Sequence, residues 1–258
     1  MTTNPATPLH SIRPAADAPQ TEAELRVELA AAYRLVALHG WDDLIFTHLS
    51  ARVPGTDHFL INPYGLLFEE ITASSLVKVD LEGNKLDDSP YPVNPAGFTI
   101  HSAVHSACPD AHCVIHLHTV QGQAVSAQAE GLLPLTQTAL QVIDDVAYHD
   151  FEGIAEDLGE RERIVADLCD KHLLILRNHG TLTFGETVAD AWLRMYMLER
   201  ACEAQIAALT GGRVMEPCRE SREKTAQIAQ AGLTTVGRKL AWPALQRKLD
   251  RIDPSYRD

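Results

Sequence analysis

His116 and His118 stand two apart in the run Ala111-His-Cys-Val-Ile-His-Leu-His-Thr119, and a third histidine follows in Arg177-Asn-His-Gly180. A β-strand repeats its facing every two residues, so the first two imidazoles point to the same side and can serve one ion. Neutral imidazole is the commonest protein ligand of zinc and related divalent metals, and a set of three leaves a coordination position open for water or substrate. Such openness points to catalysis rather than to a structural metal. A His-x-His pair alone also occurs on half-buried strands, where each ring only hydrogen-bonds its surroundings. His179 strengthens the metal reading, because it follows the apolar run Leu173-Leu-Leu-Ile-Leu176 and precedes Gly180. That is the setting of a side chain presented at a strand end, where the backbone turns sharply.

The elements that must position these residues alternate along the chain. Thr21-Glu-Ala-Glu24 reads as a capping box opening a helix whose apolar positions Leu25, Leu29, Ala32 and Val36 share a face, with Gly40 as its stop. Strands are expected at 45–52, 58–62 and 76–81, with Glu82-Gly-Asn84 as a tight turn into Lys85-Leu86. Pro92 and Pro95 precede a helix over 97–107, on which Phe98, His101, Val104, His105 and Cys108 share one face. The strand of His116 and His118 follows. A short helix near 121–128, a turn around Leu133-Pro134 and a charged helix over 160–170 lead to the His179 strand pair. Thr187 then caps a long helix with Val188, Trp192, Met195, Cys202, Ile206 and Leu209 on one stripe, stopped by Gly211-Gly212. That stripe reads as core or subunit interface. Hairpin-joined strands interleaved with helices too few for a regular βαβ series imply an α/β sandwich around a mainly antiparallel sheet.

Composition narrows the class further. A chain of 258 residues without a Pro/Gly/Ser-rich divide reads as one domain over 21–242, with a flexible N-terminal tail over 1–20 and a C-terminal extension over 243–258. The Pro-rich beginning lacks the charged-then-apolar order of a signal peptide, and no apolar run has membrane-spanning length. Five cysteines, none in a CxxC pair, argue against a disulfide framework and for a reducing cytoplasm. A formal charge of −13 repels nucleic acid and anionic membrane surfaces alike.

Several motifs in order carry a family resemblance. They are Val93-Asn-Pro-Ala-Gly-Phe-Thr-Ile-His-Ser-Ala-Val104, Val114-Ile-His-Leu-His-Thr119, Gly131-Leu-Leu-Pro134, Ala147-Tyr-His-Asp-Phe151 and Leu176-Arg-Asn-His-Gly-Thr181. The chain resembles the class II aldolase/adducin family, closest to its adducin-type branch, from about Thr21 to Trp242. The resemblance implies a three-layer α/β/α sandwich and a homotetramer with sites at subunit boundaries. It also implies a divalent metal, zinc foremost with Fe(II) or Mn as alternatives, held by His116, His118 and His179. In family aldolases the metal stabilises charge developing on substrate oxygens while a glutamate moves the proton.

The departures from that pattern bear on function. Gly97 falls where the family has its acid/base glutamate, and Pro95 and Ala96 fall where two serines bind substrate phosphate. Neither of the latter has a side-chain donor. The family's second proton donor, a tyrosine, falls near Gln137 or Thr138, and the asparagine of its glycine-asparagine loop near His48. His101, one turn beyond Gly97, is the candidate acid/base residue, with a buried, hydrogen-bonded histidine as the alternative; Glu69, Glu70 and His149 are further candidates, the two glutamates reading first as a solvated loop. The alternative is also open for His105, and for Asp144 and Asp145 as polar surface. Asn62, Gly65 and Gly97 are the candidate substrate-binding positions. The leading expectation is a metal-dependent carbon–carbon lyase acting on a small carbonyl or hydroxy-acid substrate, by retro-aldol or decarboxylative chemistry, rather than on a sugar phosphate. The alternatives are a mononuclear iron(II) oxygenase or oxidative decarboxylase, and a non-catalytic adducin-like scaffold.

Overall fold

The computed structural model describes residues 21–153 and 159–258; the tail expected over 1–20 lies outside the described residues. Helix α1, Glu22–His39, begins at the capping box expected of Thr21 and Glu24 and ends at Gly40, whose φ of 65° takes the chain out of the helix. Leu25, Leu29, Ala32 and Val36 are all buried along it.

Among the described residues seven strands follow: β1 (His48–Arg52), β2 (Phe59–Ile61), β3 (Val77–Val79), β4 (Cys113–Leu117), β5 (Val146–His149), β6 (Leu173–Leu176) and β7 (Gly180–Gly185). They form one sheet in the order β3-β2-β1-β4-β7-β6-β5, antiparallel except where β5 pairs with β6. The 82–84 turn returns the chain as expected, but Lys85 makes only an isolated bridge to Val79.

Alternation along the strands feeds two cores. Leu49, Ala51, Cys113, Ile115 and Leu117 pack against α1 and helix α6 (Val188–Thr210). Leu173 and Ile175 continue that layer, packed on helix α3 (Val120–Ser126), helix α4 (Gln137–Leu140) and the later turns of α6. On the other face, Val114, Leu174, Leu176, Leu182 and Phe184 pack against helices α2 (Pro95–Ala107) and α5 (Glu160–Leu168). The result is the expected three-layer α/β/α sandwich. Because β6 is covered on both faces, its four residues are all apolar and buried, which is why they read as an uninterrupted run.

The differences from expectation have local causes. Strand β1 starts at His48 rather than 45, because the preceding segment turns through Leu44 at φ 51°. Helix α6 is capped by Thr187 and ends at Gly211, but its stripe fades toward the end, where Leu209 is exposed. Two later helices, α7 (Arg219–Val236) and α8 (Trp242–Ile252), were not foreseen; a π-helical turn, Gly237–Ala241, joins them. Trp242, Leu249 and Tyr256 bury in the same core as α1. No helix among the described residues is long and apolar enough to cross a membrane, and none of the five cysteines is paired with another.

Candidate metal centre

The three histidines reach one place from two hairpin-related segments. His116 lies in central strand β4, opposite His48 of β1 and Leu182 of β7. His118 comes just past the end of β4, and His179 sits in the turn between β6 and β7. The left-handed residue of that turn is Asn178 (φ 54°), two positions earlier than the sharp bend expected at Gly180. Gly180 is required for a different reason. A Cβ there would lie 2.4 Å from the Leu117 carbonyl oxygen, so only glycine lets the turn press against the end of β4.

His116 Nε2 and His118 Nε2 are 2.9 Å apart, and His118 Nε2 lies 2.9 Å from His179 Nε2. The ring centroids stand 4.7 to 4.8 Å from one another. One ligand-capable nitrogen from each ring falls within 4.8 Å of the other two.

The far sides of two rings determine what those nitrogens carry. His116 Nδ1 is 2.9 Å from the Thr181 carbonyl oxygen and His118 Nδ1 is 3.2 Å from the Asp43 carboxylate. A carbonyl and a carboxylate can only accept, so both Nδ1 atoms must donate. In a neutral imidazole the other nitrogen is then a bare lone pair, and two such lone pairs face each other with no proton to share. One added proton could bridge the pair, but burial disfavours the charged ring that this requires. Burial first, then the neighbouring His118 and His179, hold His116 well below the usual histidine value. Burial also lowers His118 against the opposing pull of Asp43, and lowers His179 to about 4. A divalent cation is what such a donor set accepts, and the carbonyl and carboxylate behind the rings are the partners that usually orient metal-bound histidines.

The remaining candidates are distributed unevenly. His101 is fully buried, with Nε2 at 2.8 Å from His48 Nδ1 and Nδ1 at 2.5 Å from Ser50 Oγ. Both its nitrogens are engaged, so it has none left to offer a substrate, and His48 stands between it and His116. Gly97 lies against the His48 ring: a Cβ there would meet His48 Cδ2 at 2.6 Å and Nε2 at 2.9 Å. Asn62 is not with the three histidines; it is buried toward α1, with Oδ1 accepting from the Tyr33 hydroxyl at 3.0 Å. Gly65 occupies an open turn at φ 118°. Glu69 and Glu70 are exposed on a short 3-10 turn, where Glu70 caps the Leu67 amide. His149 is tied up at Nδ1 by Asp167, 2.7 Å away. Asp145 accepts from His172, Asp144 is exposed, and Gln137 and Thr138 lie in α4.

Three supporting residues escaped the sequence reading. Asp43 orients His118, and Ser50 joins His101 to His105 at 2.7 Å. Glu199, wholly buried on α6, accepts from the hydroxyls of Thr119 and Thr181, the residues next to His118 and behind His116. Burial outweighs these donors and pushes its carboxyl up to about 7. A lone acidic residue inside an apolar helical stripe was the available signal for Glu199; for Asp43 and Ser50 there was none.

Residues 27–206 match the family of the Class II Aldolase and Adducin N-terminal domain. A Caulobacter vibrioides protein, named only provisionally for aldolase class 2, is 62% identical over 243 residues, covering 93% of this chain and 94% of that protein. Among solved structures, an aldolase II superfamily protein from Pseudomonas syringae superposes with a TM-score of 0.88 at 51% identity, over 93% of this chain and 97% of that one. The L-fuculose 1-phosphate aldolase of Glaciozyma antarctica superposes with a TM-score of 0.83 at 31% identity, over 96% of this chain and 98% of that one.

Proposed function

The chain belongs to the Class II Aldolase and Adducin N-terminal domain family, and on that premise we propose that it is a divalent-metal-dependent lyase. Its substrate is an unphosphorylated carbonyl or hydroxy-acid compound, cleaved at the carbon–carbon bond next to the carbonyl or carboxylate. His116, His118 and His179 hold the ion, and zinc is the first choice for three imidazoles. A bound divalent ion supplies Lewis-acid charge to oxygens on which negative charge develops as the bond breaks.

The observation that carries this reading is the pair of opposed Nε2 lone pairs at 2.9 Å, whose rings have already committed their hydrogens to Thr181 and Asp43. The name of the Glaciozyma antarctica neighbour suggests a sugar phosphate, but the residues here argue otherwise. Position 97 has no side chain to move a proton, and Pro95 and Ala96 have no side-chain hydrogen to give a phosphate. The protein's own groups orient His116 and His118 from behind and bring His48 alongside. A homotetramer belongs to the same reading. Leu44, Phe46, Val120 and Phe151 are exposed on segments adjoining the histidines, and a neighbouring copy would cover them.

Purified protein tests this by elemental analysis, then by screening hydroxy-acids, short aldols and fuculose 1-phosphate with and without oxygen. The expected result is one divalent ion per chain and oxygen-independent cleavage of an unphosphorylated compound. Absence of a stoichiometric metal overturns the proposal. Iron with oxygen consumed during turnover would replace it by the oxygenase.

A further inference from the structure

We propose that His48 is a substrate-positioning residue whose Nε2 is locked as a hydrogen-bond acceptor, so that the site selects a substrate carrying a hydroxyl group beside its carbonyl or carboxylate. The proposal rests on the metal reading given above and adds to it a specificity device made of this chain's own side chains.

The lock is a directional chain of hydrogen bonds that starts at a backbone carbonyl. Ala111 O lies 2.7 Å from His105 Nδ1 and can only accept, so His105 carries its hydrogen on Nδ1. His105 Nε2 is therefore an acceptor, and the Ser50 hydroxyl, 2.7 Å away, donates to it. With its only hydrogen spent, Ser50 Oγ accepts from His101 Nδ1 at 2.5 Å. His101 Nε2 must then accept, and His48 Nδ1 donates to it across 2.8 Å. Every link forces the next, and the series ends with a bare lone pair on His48 Nε2.

This direction requires neutral rings. Burial favours them: His48, His101 and His105 are all enclosed, and each link of the chain pairs one donor with one acceptor. Protonating any member would place two donors face to face inside the relay.

The His48 ring stands beside the proposed metal centre. His48 is the cross-strand partner of His116, with ring centroids 5.1 Å apart. Its Nδ1 is taken by His101, which leaves Nε2 as the free nitrogen of the ring among the described contacts. Gly97 completes the arrangement, since any side chain there would displace the ring.

An acceptor that cannot become a donor is selective. A hydroxyl satisfies it, whereas an ether or a bare anionic oxygen in the same place sets lone pair against lone pair and leaves a buried polar group without a partner. His101, Ser50 and His105 never touch the substrate in this scheme; they position the His48 hydrogen on the far nitrogen.

Two measurements test the proposal. Imidazole 15N–1H correlation spectra of histidine-labelled protein, without metal and with zinc, should show His48 in the Nδ1–H form, the signal being assigned from His48→Gln. Ser50→Ala should move it toward the Nε2–H form and Ser50→Thr, which keeps the hydroxyl, should not. Calorimetry on the zinc-loaded protein then compares glycolate with methoxyacetate, which differ by the hydroxyl hydrogen. Glycolate should bind tighter by about ten-fold, and Ser50→Ala should reduce that ratio while any steric effect of the methyl persists. Failure of zinc to bind sinks the metal reading and this proposal with it. Zinc binding with the two acids taken equally, or a His48 proton found on Nε2, sinks the His48 assignment alone.

Discussion

The Asp43 carboxylate stands 3.2 Å from His118 Nδ1, on the side of the ring opposite the nitrogen that meets His116 and His179. Through that contact a partly exposed loop residue sets which nitrogen of His118 is available. Partners of this kind typically contribute 10- to 100-fold to metal affinity. We therefore expect Asp43→Ala to weaken zinc binding by roughly 10- to 100-fold, read by competition against a chromophoric chelator. Unchanged affinity would remove Asp43 from the centre.

His116 is the most enclosed of the three candidate ligands. Replacing it with alanine leaves two imidazoles, too few for a four-coordinate protein site with one open position. Metal content after zinc loading and desalting should drop to about a tenth of the parent protein or less, with any lyase turnover lost. Retention of stoichiometric zinc in His116→Ala would rule out the assigned ligands.

Glu199 makes stability depend on pH in a defined direction. Its carboxyl rises from an ordinary 4.5 to about 7 on folding, chiefly through burial. Below the ordinary value both the folded and unfolded chains hold the proton. As pH rises toward the folded value, the unfolded chain releases it first and the folded state loses ground; above about 7 the loss is complete. Glu199→Gln removes this titration. Urea unfolding at pH 4.5 and pH 8 should show the parent losing about 3 kcal/mol more than the variant between the two conditions. Parallel pH profiles would show that Glu199 titrates as an ordinary carboxylate.

How far the site could be read beforehand depended on the range of the contacts involved. The facing of His116 and His118 follows from strand periodicity, and the buried run before His179 marks a central strand, so these three could be brought together on paper. The shared helical face of His101 and His105 was equally legible. What they touch was not: Ser50 and His48 arrive through the pairing of β1 with β4, and no local pattern specifies that His48 lies opposite His116. The facing of Asn62 was hidden for the same reason: it follows the short strand β2, just past Ile61, and meets Tyr33 there. In α8, Trp242, Leu245 and Leu249 do have helical spacing, and Pro243 suits a first turn. That pattern was present in the chain and passed over.

Gly97 gives a test that joins packing to chemistry. A methyl group there would collide with His48 at 2.6 Å, and overpacking of this kind costs about 1 to 3 kcal/mol. We expect Gly97→Ala to be destabilised by that amount in chemical denaturation, and His48→Ala to relieve the penalty in the double variant. Gly97→Glu should yield no cleavage of fuculose 1-phosphate, since Pro95 and Ala96 still cannot donate to its phosphate. Detectable cleavage would restore the sugar-phosphate reading.

The segment that buries Tyr256 against α1 also constrains how the protein is born. Arg34 reaches Asp253 and Ser255, each more than two hundred residues away, as well as Ile71 O, and the Tyr256 carbonyl accepts from Ala73, so long-range ties close over the first helix. While translation is under way, the flank of α1 destined for Trp242, Leu249 and Tyr256 has nothing to cover it. Native closure must wait until residue 256 has left the ribosome, and loop closure over so long a span is slow. Until then the apolar residues of α1 that meet this segment are left uncovered on that side.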